Sequence, residues 1–361
     1  MFSPADHEFM AQALRLAEKG LYSTSPNPRV GCVMVRAGKI IGEGWHEKAG
    51  GPHAEILALN RAGEEARGAT AYVTLEPCNH QGRTGPCTEA LIKAAVARVV
   101  AAVQDPNPLV NGAGTTKLKA AGIQVESGLL ENEARELNIG YVSRMIRSRP
   151  WVRMKIAASL DGKTALNNGQ SKWITGEAAR RDAHHWRARS CAVLTGIGTV
   201  KDDDPQLNVR HVSTPRQPVR VVVDSRLEIS PSAKVLQGGK VVIFCAVNDG
   251  QRAARLREKD VQLIALPNSE GKVELSQMMA HLAKLEVNEV LVEGGFKLNG
   301  SLLQAGLVDE LLIYFAPRLI GDNARGMFHL SELGDLAGRR ELKILDLRKV
   351  GEDMRVLARP A

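Results

Sequence analysis

One histidine, one glutamate and two cysteines near the start of the chain have side chains that could bind and use a metal ion. His53 and Glu55 are separated by one residue, and Cys78 and Cys87 lie in the stretch EPCNHQGRTGPC, residues 76–87. The stretch alone is compatible with a zinc site, a disulfide or chance. One imidazole and two thiolates would leave the fourth tetrahedral position of a zinc ion open, which is typical of catalytic zinc.

The cysteine count and the start of the chain bear on the disulfide alternative. The 361 residues include five cysteines. The first residues read as an amphipathic helix, opened by Ser3, Pro4 and Asp6 and closed by Gly20, and not as an export signal. In a reducing compartment, paired cysteines more often hold a metal than form a disulfide. No run of about 18 apolar residues is present. We therefore expect a cytoplasmic protein in which Cys78 and Cys87 bind zinc.

The position of Glu55 predicts a role in proton transfer. Zinc lowers the pKa of a bound water from about 15.7 to about 7, and a hydrolytic deamination also needs a group that passes a proton to the leaving amine. Two residues beyond His53 on a helix, Glu55 points in a different direction and need not bind the metal. H-x-E followed by P-C and a second cysteine is typical of zinc nucleobase deaminases, although the second cysteine is farther away here.

The elements that must position these residues alternate between strands and helices. His53 opens a predicted helix, Cys78 follows a strand and Cys87 begins the next helix. In the first half we predict strands at VGCVMVR, KIIGEGW, ATAYVTL, RVVAAV and IQVES, and helices at HAEILALNRAG, CTEALIKAAVA and GTTKLKAAG. The alternation predicts an α/β fold with a largely parallel sheet.

A connector marked by Pro150 predicts a boundary between two domains, residues 1–148 and 149–361. The alternation then restarts. We predict strands at VRMKIAAS, CAVLTG, VRVVVDS, KVVIFCA, VQLIAL, EVLVEGG and ELLIYFAP, and helices at EAARRDAHHWRA, LSQMMAHLAKL and KLNGSLLQAG. In this half, His184 and His185 are expected to form a helix-surface pair. Cys32, Cys191 and Cys245 lie in apolar runs and are expected in the core.

The net charge of +8 raises the question of a nucleic-acid partner. Residues 1–148 carry 16 Lys+Arg and 15 Asp+Glu, which gives +1, and the remaining residues carry 32 and 25, which gives +7. The excess is scattered and forms no run of like charge. It suits small phosphorylated ligands at least as well as a nucleic-acid backbone.

Two glycine turns in the second half are candidate phosphate sites. Gly196-Ile197-Gly198 and Gly294-Gly295 each follow a predicted strand. Neither completes G-x-G-x-x-G, because Lys201 occupies the third glycine position, so an ordinary Rossmann site is not favoured. Backbone amides at such a strand-to-helix turn can still bind phosphate, with a simple turn as the alternative.

Several motifs together resemble the family of bifunctional riboflavin-biosynthesis deaminase/reductases. HAE, EPCNHQGRTGPC and SPNPRVGCVMV resemble its deaminase domain, and KIAASLDGKTA, SKWITG, TVKDDDPQLNVR, VVVDS, VEGG and LLQAGLVDEL resemble its reductase domain. The resemblance covers nearly the whole chain and is weakest at residues 231–288 and after 330. It implies a cytidine-deaminase-like three-layer α/β/α domain at 1–148, a dihydrofolate-reductase-like α/β domain at 149–361, and a homo-oligomer.

The resemblance implies two reactions and two cofactors, Zn2+ and NADPH. The first is the zinc-dependent deamination of 2,5-diamino-6-(5-phosphoribosylamino)pyrimidin-4(3H)-one, with Glu55 as the proton shuttle. The second is the NADPH-dependent reduction of the ribosyl group, which gives 5-amino-6-(5-phosphoribitylamino)uracil. The expected partner is therefore a small phosphorylated pyrimidine, with neither nucleic acid nor membrane.

Matching positions imply three further groups of residues. Those implied to contact the deaminase substrate are Asn27, His46, His80 and Arg83. Those implied to contact NADPH are Ala157, Trp173, Thr199, Asp203, Ser225, Gly295, Phe296, Lys297, Leu298, Asn299, Gly300 and Ser301. Those implied to face the reductase substrate are Ser171, Arg187, Leu207, Arg210 and Glu293, where the two arginines would grip a phosphate. Candidate proton donors for the reduction are Lys155, Asp203 and Glu293.

Three alternatives stay open at this point. The chain could be a nucleic-acid-editing zinc deaminase with a basic auxiliary domain, although the near-neutral first half argues against it. It could be a non-catalytic module held together by zinc. It could also be a pyrimidine deaminase with a degenerate second domain, because glycine turns alone do not prove cofactor binding.

Overall fold

The computed structural model of the chain describes residues 1–80, 85–108, 110–247 and 250–361. These residues form two compact units, Met1–Ser148 and Arg149–Ala361. Each unit contains its own main sheet. No helix in the described part of the chain combines the length and the apolar character that a membrane crossing requires.

The first unit contains six helices and five strands among its described residues. Its helices are α1 Pro4–Glu18, α2 Ala54–Ala62, α3 Cys87–Lys93, α4 Ala113–Ala120, α5 Glu131–Leu137 and α6 Ile139–Arg147. Its strands are β1 Gly31–Arg36, β2 Lys39–Trp45, β3 Thr70–Val73, β4 Arg98–Ala101 and β5 Gln124–Ser127.

Helix α1 begins where the sequence predicts, at a capping box. The Ser3 hydroxyl accepts a hydrogen bond from the Asp6 amide at 3.2 Å, and the Asp6 carboxylate accepts one from the Ser3 amide at 2.8 Å. The apolar face of the helix packs closely on β1. A Cβ atom added to Gly31 would lie 1.9 Å from the Ala13 carbonyl oxygen, so this approach requires glycine.

The first sheet has the strand order β2-β1-β3-β4-β5. Strand β1 is antiparallel to both β2 and β3, whereas β3, β4 and β5 are parallel. The expectation of a largely parallel sheet is therefore wrong for this unit. Residues of α1 and α5 pack on one face of the sheet and residues of α2, α3 and α4 on the other, which gives the predicted three layers.

The second unit adds eleven strands and five helices among its described residues. The strands are β6 Trp151–Ser159, β7 Lys163–Ala165, β8 Ala192–Gly196, β9 Val219–Val223, β10 Val241–Cys245, β11 Val261–Ala265, β12 Glu289–Val292, β13 Glu310–Ala316, β14 Arg325–Gly326, β15 Leu342–Val350 and β16 Asp353–Pro360. The helices are α7 Glu177–Arg189, α8 Ile197–Asp203, α9 Gly250–Arg257, α10 Leu275–Lys284 and α11 Phe296–Gln304.

The main sheet of this unit has the strand order β11-β10-β9-β8-β12-β6-β13-β16-β15. The first seven strands are parallel to their neighbours, and β16 and β15 add an antiparallel hairpin. Strands β7 and β14 form a separate two-stranded sheet. Because parallel strands end on the same side, the residues after β8, β9 and β12 meet along one edge. This edge carries the glycine turns.

A buried group of charges crosses the centre of the second sheet. Arg153, with 1% of its side chain exposed, donates to Glu310 and, at 3.1 Å, to Glu289. Each carboxylate has a second arginine, with Arg189 2.7 Å from Glu289 and Arg359 2.9 Å from Glu310. Every buried carboxylate of this group is therefore paired, as burial of charge requires.

Candidate functional site

His53, Cys78 and Cys87 come together in the first unit, each delivered by a different element. His53 is the N-cap of α2, Cys78 lies beyond β3, and Cys87 is the first residue of α3. Their three potential ligand atoms lie within 4.8 Å of one another. His53 Nδ1 is 3.2 Å from Cys87 Sγ and 3.4 Å from Cys78 Sγ. Tetrahedral zinc, with bonds of about 2.0 Å to nitrogen and about 2.3 Å to sulfur, would hold such atoms roughly 3.5 Å apart.

The surroundings of Cys78 favour its thiolate form. The pKa of Cys78 is lowered to about 4, mainly by a hydrogen bond from the Cys87 thiol. Burial acts in the opposite direction, and His53 lowers the pKa further. The Cys87 backbone amide also donates to Cys78 Sγ at 3.4 Å. Cys78 and Cys87 are not joined by a disulfide, which contradicts the disulfide alternative. The donor set and its spacing fit a zinc ion with three protein ligands.

Glu55 lies beside this cluster on the first turn of α2 and is only 4% exposed. Burial, helped by the nearby Cys78 sulfur, raises the pKa of Glu55 to about 7. A carboxyl group with a pKa near neutrality can both take and give a proton during a reaction.

Asn27 and His46 form a hydrogen-bonded pair next to the cluster. His46 is buried, and its ring lies edge-on to that of His53 with the centroids 5.4 Å apart. His46 Nδ1 lies 3.0 Å from the Pro52 carbonyl oxygen, which can only accept, so this nitrogen carries the proton. Burial lowers the pKa of His46, which keeps the ring neutral. Nε2 then accepts from Asn27 Nδ2 at 3.1 Å, and this leaves the Asn27 amide oxygen to accept from another group.

Glu76 anchors the loop of Cys78, a role that the sequence did not reveal. Its buried carboxylate accepts hydrogen bonds from three backbone amides, those of Asp105 at 3.2 Å, Gly112 at 2.9 Å and Thr115 at 3.0 Å. The last two lie at the start of α4. The position of Glu76 directly before Pro77 and Cys78 could have indicated this role. A carboxylate buried at that point needs several hydrogen-bond donors.

The two remaining residues predicted for the deaminase substrate lie in the loop between Cys78 and Cys87. His80 is exposed. Arg83 lies outside the described residues.

In the second unit, the two glycine turns lie side by side at the carboxyl ends of β8 and β12, which are neighbouring parallel strands. Gly196 precedes α8 and Gly295 precedes α11. A Cβ atom added to Gly295 would lie 3.5 Å from Thr199 Oγ1, so the two turns approach each other closely. The N-terminus of α11 therefore lies at the edge of the sheet where the two turns meet. Its backbone amides could stabilise a phosphate bound there.

The other residues predicted to contact NADPH are spread along this edge. Ala157 lies near the end of β6, Ser225 follows β9, and Asp203 ends α8, while Trp173 is 63% exposed. Within the predicted run from Gly295 to Ser301, the exposed residues are Gly295, Lys297 and Ser301, and Phe296 and Leu298 are half-buried.

Two residues of that run face the interior instead of the edge. Asn299 is buried and donates to the Met327 carbonyl oxygen at 3.2 Å. A Cβ atom added to Gly300 would lie 2.0 Å from the His329 carbonyl oxygen. The side of α11 that carries Asn299 and Gly300 therefore serves packing.

Glu293 and Arg187 form a partly buried ion pair at the same edge, with 12% and 13% of their side chains exposed. Arg187 Nε and Nη2 lie 2.5 Å and 2.9 Å from the two Glu293 carboxylate oxygens. Burial alone would raise the pKa of Glu293, but the charge and hydrogen bonds of Arg187 lower it to about 2. This shift favours the ionised form of Glu293 near neutral pH and argues against Glu293 among the three candidate proton donors. In this arrangement the fork of Arg187 donates to Glu293, and the contact of Arg187 with the reductase substrate stays a prediction.

The remaining candidates around this ion pair differ in their exposure. Lys155 Nζ lies 3.9 Å from Glu293 Oε2, and burial lowers the pKa of Lys155. Arg210 is exposed. Leu207 is 2% exposed and packs in the core, so only its backbone is available to a ligand. Ser171 donates to Asp203 at 2.8 Å.

His184 is buried, with 5% of the residue exposed, and only His185 is on the surface. The expectation of a helix-surface pair is therefore wrong for His184. Cys32, Cys191 and Cys245 are buried as predicted.

Comparisons with known proteins cover both units. The family model for the cytidine and deoxycytidylate deaminase zinc-binding region matches residues 3–103, and the model for the RibD C-terminal domain matches residues 150–356. The riboflavin biosynthesis protein RibD of Escherichia coli (strain K12) is 46% identical over 361 aligned residues, which cover 97% of this chain and 98% of that protein. The protein of the same name from Aquifex aeolicus (strain VF5) is 44% identical, with 98% of each chain covered.

Solved structures show the same likeness over the full chain. RibD of Acinetobacter baumannii (form 1) has a TM-score of 0.93 at 46% identity, and 99% of each chain is covered. A diaminohydroxyphosphoribosylaminopyrimidine deaminase/5-amino-6-(5-phosphoribosylamino)uracil reductase from Thermotoga maritima has a TM-score of 0.87 at 34% identity, with the same coverage.

These matches confirm the fold expected for each half, a cytidine-deaminase-like unit followed by a dihydrofolate-reductase-like unit. They do not favour a nucleic-acid-editing deaminase, since the second half matches a reductase domain. With near-complete coverage at 46% identity, the chain belongs to the RibD family of bifunctional deaminase/reductases of riboflavin biosynthesis.

Proposed function

We propose that the first unit deaminates 2,5-diamino-6-(5-phosphoribosylamino)pyrimidin-4(3H)-one and that the second unit uses NADPH to reduce the product to 5-amino-6-(5-phosphoribitylamino)uracil. The convergence of His53, Cys78 and Cys87 beside the buried Glu55 is the observation that carries the proposal. The Thermotoga maritima relative, a diaminohydroxyphosphoribosylaminopyrimidine deaminase and 5-amino-6-(5-phosphoribosylamino)uracil reductase, supports this substrate class.

In the deamination, His53, Cys78 and Cys87 would hold zinc, which when bound supplies a Lewis acid that activates water. Glu55 takes a proton from the attacking water and delivers it to the amine that leaves as ammonia. Asn27, with its amide fixed by His46, accepts a hydrogen bond from the pyrimidine ring through Oδ1. His80 and Arg83 would contact the ribose and the phosphate.

In the reduction, NADPH when bound supplies the hydride for C1 of the ribosyl group. The turns at Gly196 and Gly295 would bind its phosphates through backbone amides, and Thr199 and Ser225 would contribute hydroxyl groups. Of the three candidate donors, Lys155 is the one we assign to protonate the nitrogen or oxygen as hydride arrives. Glu293 is ionised and bound to Arg187, and Asp203 accepts a hydrogen bond from Ser171 and lies near Lys172. Glu293 and Arg187 orient the substrate, with Ser171 and the Leu207 backbone beside it.

Arg210 is the arginine left to bind the substrate phosphate, because its side chain is exposed and carries no ion pair among the described contacts. A guanidinium group can donate two parallel hydrogen bonds to a phosphate.

We also propose that the chain forms a homo-oligomer through strand β15. This strand is the last in the main sheet and presents exposed apolar side chains, with Ile344 61% and Leu347 57% exposed. An unpaired edge with apolar residues can pair with the same strand of a second copy. Replacement of both residues by aspartate should lower the mass in sedimentation equilibrium, and an unchanged mass would exclude this interface. A cytoplasmic location is also proposed, because Cys78 and Cys87 are not joined by a disulfide.

The test is a coupled assay with the ribosylamine phosphate as substrate. Ammonia release should require zinc, and NADPH consumption should begin only after ammonia has been released. Glu55→Gln should retain one zinc per chain and lose ammonia release, yet oxidise NADPH when the deaminated product is supplied. Ammonia release that is unaffected by this substitution would disprove the role of Glu55. Ammonia release without any NADPH consumption would disprove the second reaction.

A further inference from the structure

We propose that His184 is a positioning residue for the reductase substrate, which acts by holding the backbone of Arg210. The inference rests on the proposed role of Arg210 as the phosphate-binding residue. His184 itself is buried, with 5% of the residue exposed, so we assign it no direct contact with the substrate.

The contact joins two separate parts of the second unit. His184 lies on α7, and its Nδ1 accepts a hydrogen bond from the Arg210 backbone amide at 3.2 Å. The His184 ring also lies edge-on to that of His211, with the centroids 4.7 Å apart. Arg210, by contrast, has an exposed side chain. The backbone of Arg210 is thus held by a buried side chain, while its own side chain is exposed to solvent.

Other side chains hold the preceding residues of the same segment. Arg187 donates to the Asn208 carbonyl oxygen at 3.0 Å. Gln217 accepts from the Val209 amide at 2.8 Å and donates to the Val209 carbonyl oxygen at 3.1 Å. The backbone of Arg210 itself is held by the hydrogen bond from its amide to His184, among the hydrogen bonds of the described residues.

The charges around His184 favour its neutral form, which the contact requires. Burial, followed by the charges of Arg187, Arg210 and His211, lowers the pKa of His184 to about 3, and Glu293 opposes this shift. A neutral ring can accept the Arg210 amide at Nδ1, whereas an imidazolium could only donate. The buried ring also adds no positive charge beside the two arginines.

The first experiment compares His184→Leu with wild type in the full chain. Leucine keeps most of the volume and removes the acceptor. We expect the KM of the reductase substrate to rise about tenfold, as loss of one buried hydrogen bond would give, while kcat and the KM of NADPH stay within about twofold. Ammonia release by the same preparation should be unchanged. A KM that does not change would overturn the inference.

Two conservative variants separate positioning from a general structural role. The Oδ1 of asparagine can take the place of Nδ1, whereas the Oε1 of glutamine reaches the position of Nε2. His184→Asn should therefore restore a KM within about threefold of wild type, and His184→Gln should not. Equal behaviour of the two variants would argue against the proposed contact. This pair decides the question even if His184→Leu fails to fold.

Arg210→Gln completes a double-mutant cycle. If His184 acts through Arg210, the double variant should have no higher KM than Arg210→Gln alone. Independent, multiplying effects would contradict the inference. If Arg210→Gln alone leaves the KM unchanged, the proposed phosphate role of Arg210 fails, which is a different result from failure of the His184 contact.

Discussion

His46 Nε2 lies 3.1 Å from Asn27 Nδ2, and the Pro52 carbonyl oxygen on the other side of the ring fixes the proton on Nδ1. The ring therefore determines which end of the Asn27 amide is left to accept from a ligand. A neutral imidazole that binds no metal thus defines the direction of a hydrogen bond beside the zinc ligands.

His46→Leu should weaken the binding of the deaminase substrate because the Asn27 amide can then rotate. We expect the KM for ammonia release to rise about tenfold, with one zinc per chain retained in metal analysis and NADPH oxidation unchanged. His7→Leu, at an exposed histidine of α1, is the control and should behave as wild type. Loss of zinc from the His46 variant would show that the ring supports the metal ligands instead.

Glu76→Gln should loosen the loop that carries Cys78. The amide group replaces one carboxylate oxygen with a donor, so at least one of the three backbone amides loses its acceptor. We expect the free energy of unfolding of the first unit to fall by about 2 kcal/mol, and zinc to pass faster to a chelator. Both are measurable by denaturant unfolding and by a colorimetric chelator. Glu89→Gln, at an exposed ion pair with Lys117, should change neither quantity.

Glu293→Gln should alter the pH dependence of the reductase step if Lys155 donates the proton. Burial lowers the pKa of Lys155, and the charge of Glu293 partly restores it. Removal of that charge lowers the pKa of Lys155 further. Because the donor must be protonated, activity falls as pH rises through this pKa, so the alkaline limb of kcat should move to lower pH. An alkaline limb that stays in place would exclude Lys155 as the donor.

Arg153→Met should destabilise the second unit, since Glu289 and Glu310 each lose a buried partner. We expect the free energy of unfolding to fall by about 3 kcal/mol, because removal of one member of a buried ion group leaves charge uncompensated. Arg181→Met, which breaks an exposed pair with Glu177, should cost about 0.5 kcal/mol or less. Equal losses in the two variants, measured by denaturant unfolding, would contradict this account.

Local patterns predicted much of the fold. The capping box of α1, the helices that begin at His53 and Cys87, and most strands of both sheets lie close to their predicted positions. The three potential zinc ligands could also be predicted, because cysteines and histidines at element ends are few and their chemistry is specific.

Features that depend on distant contacts could not be predicted in this way. Strand β15 is exposed on both faces, and its pairing with β16 shifts register between Ile344 and Asp346. A regular alternation of apolar and polar residues therefore does not mark this strand in the sequence. The direction in which β1 pairs with β3 is not visible in either strand. The Arg187–Glu293 pair joins residues 106 positions apart, and no local pattern around either residue indicates that they form an ion pair.

Each main sheet is built from strands of its own unit. During translation, a ribosome that has reached residue 148 has therefore already made every strand of the first sheet, together with His53, Cys78 and Cys87. The nascent chain then holds the three side chains of this cluster before the first strand of the second sheet is synthesised. Metal loading need not wait for the second half of the polypeptide.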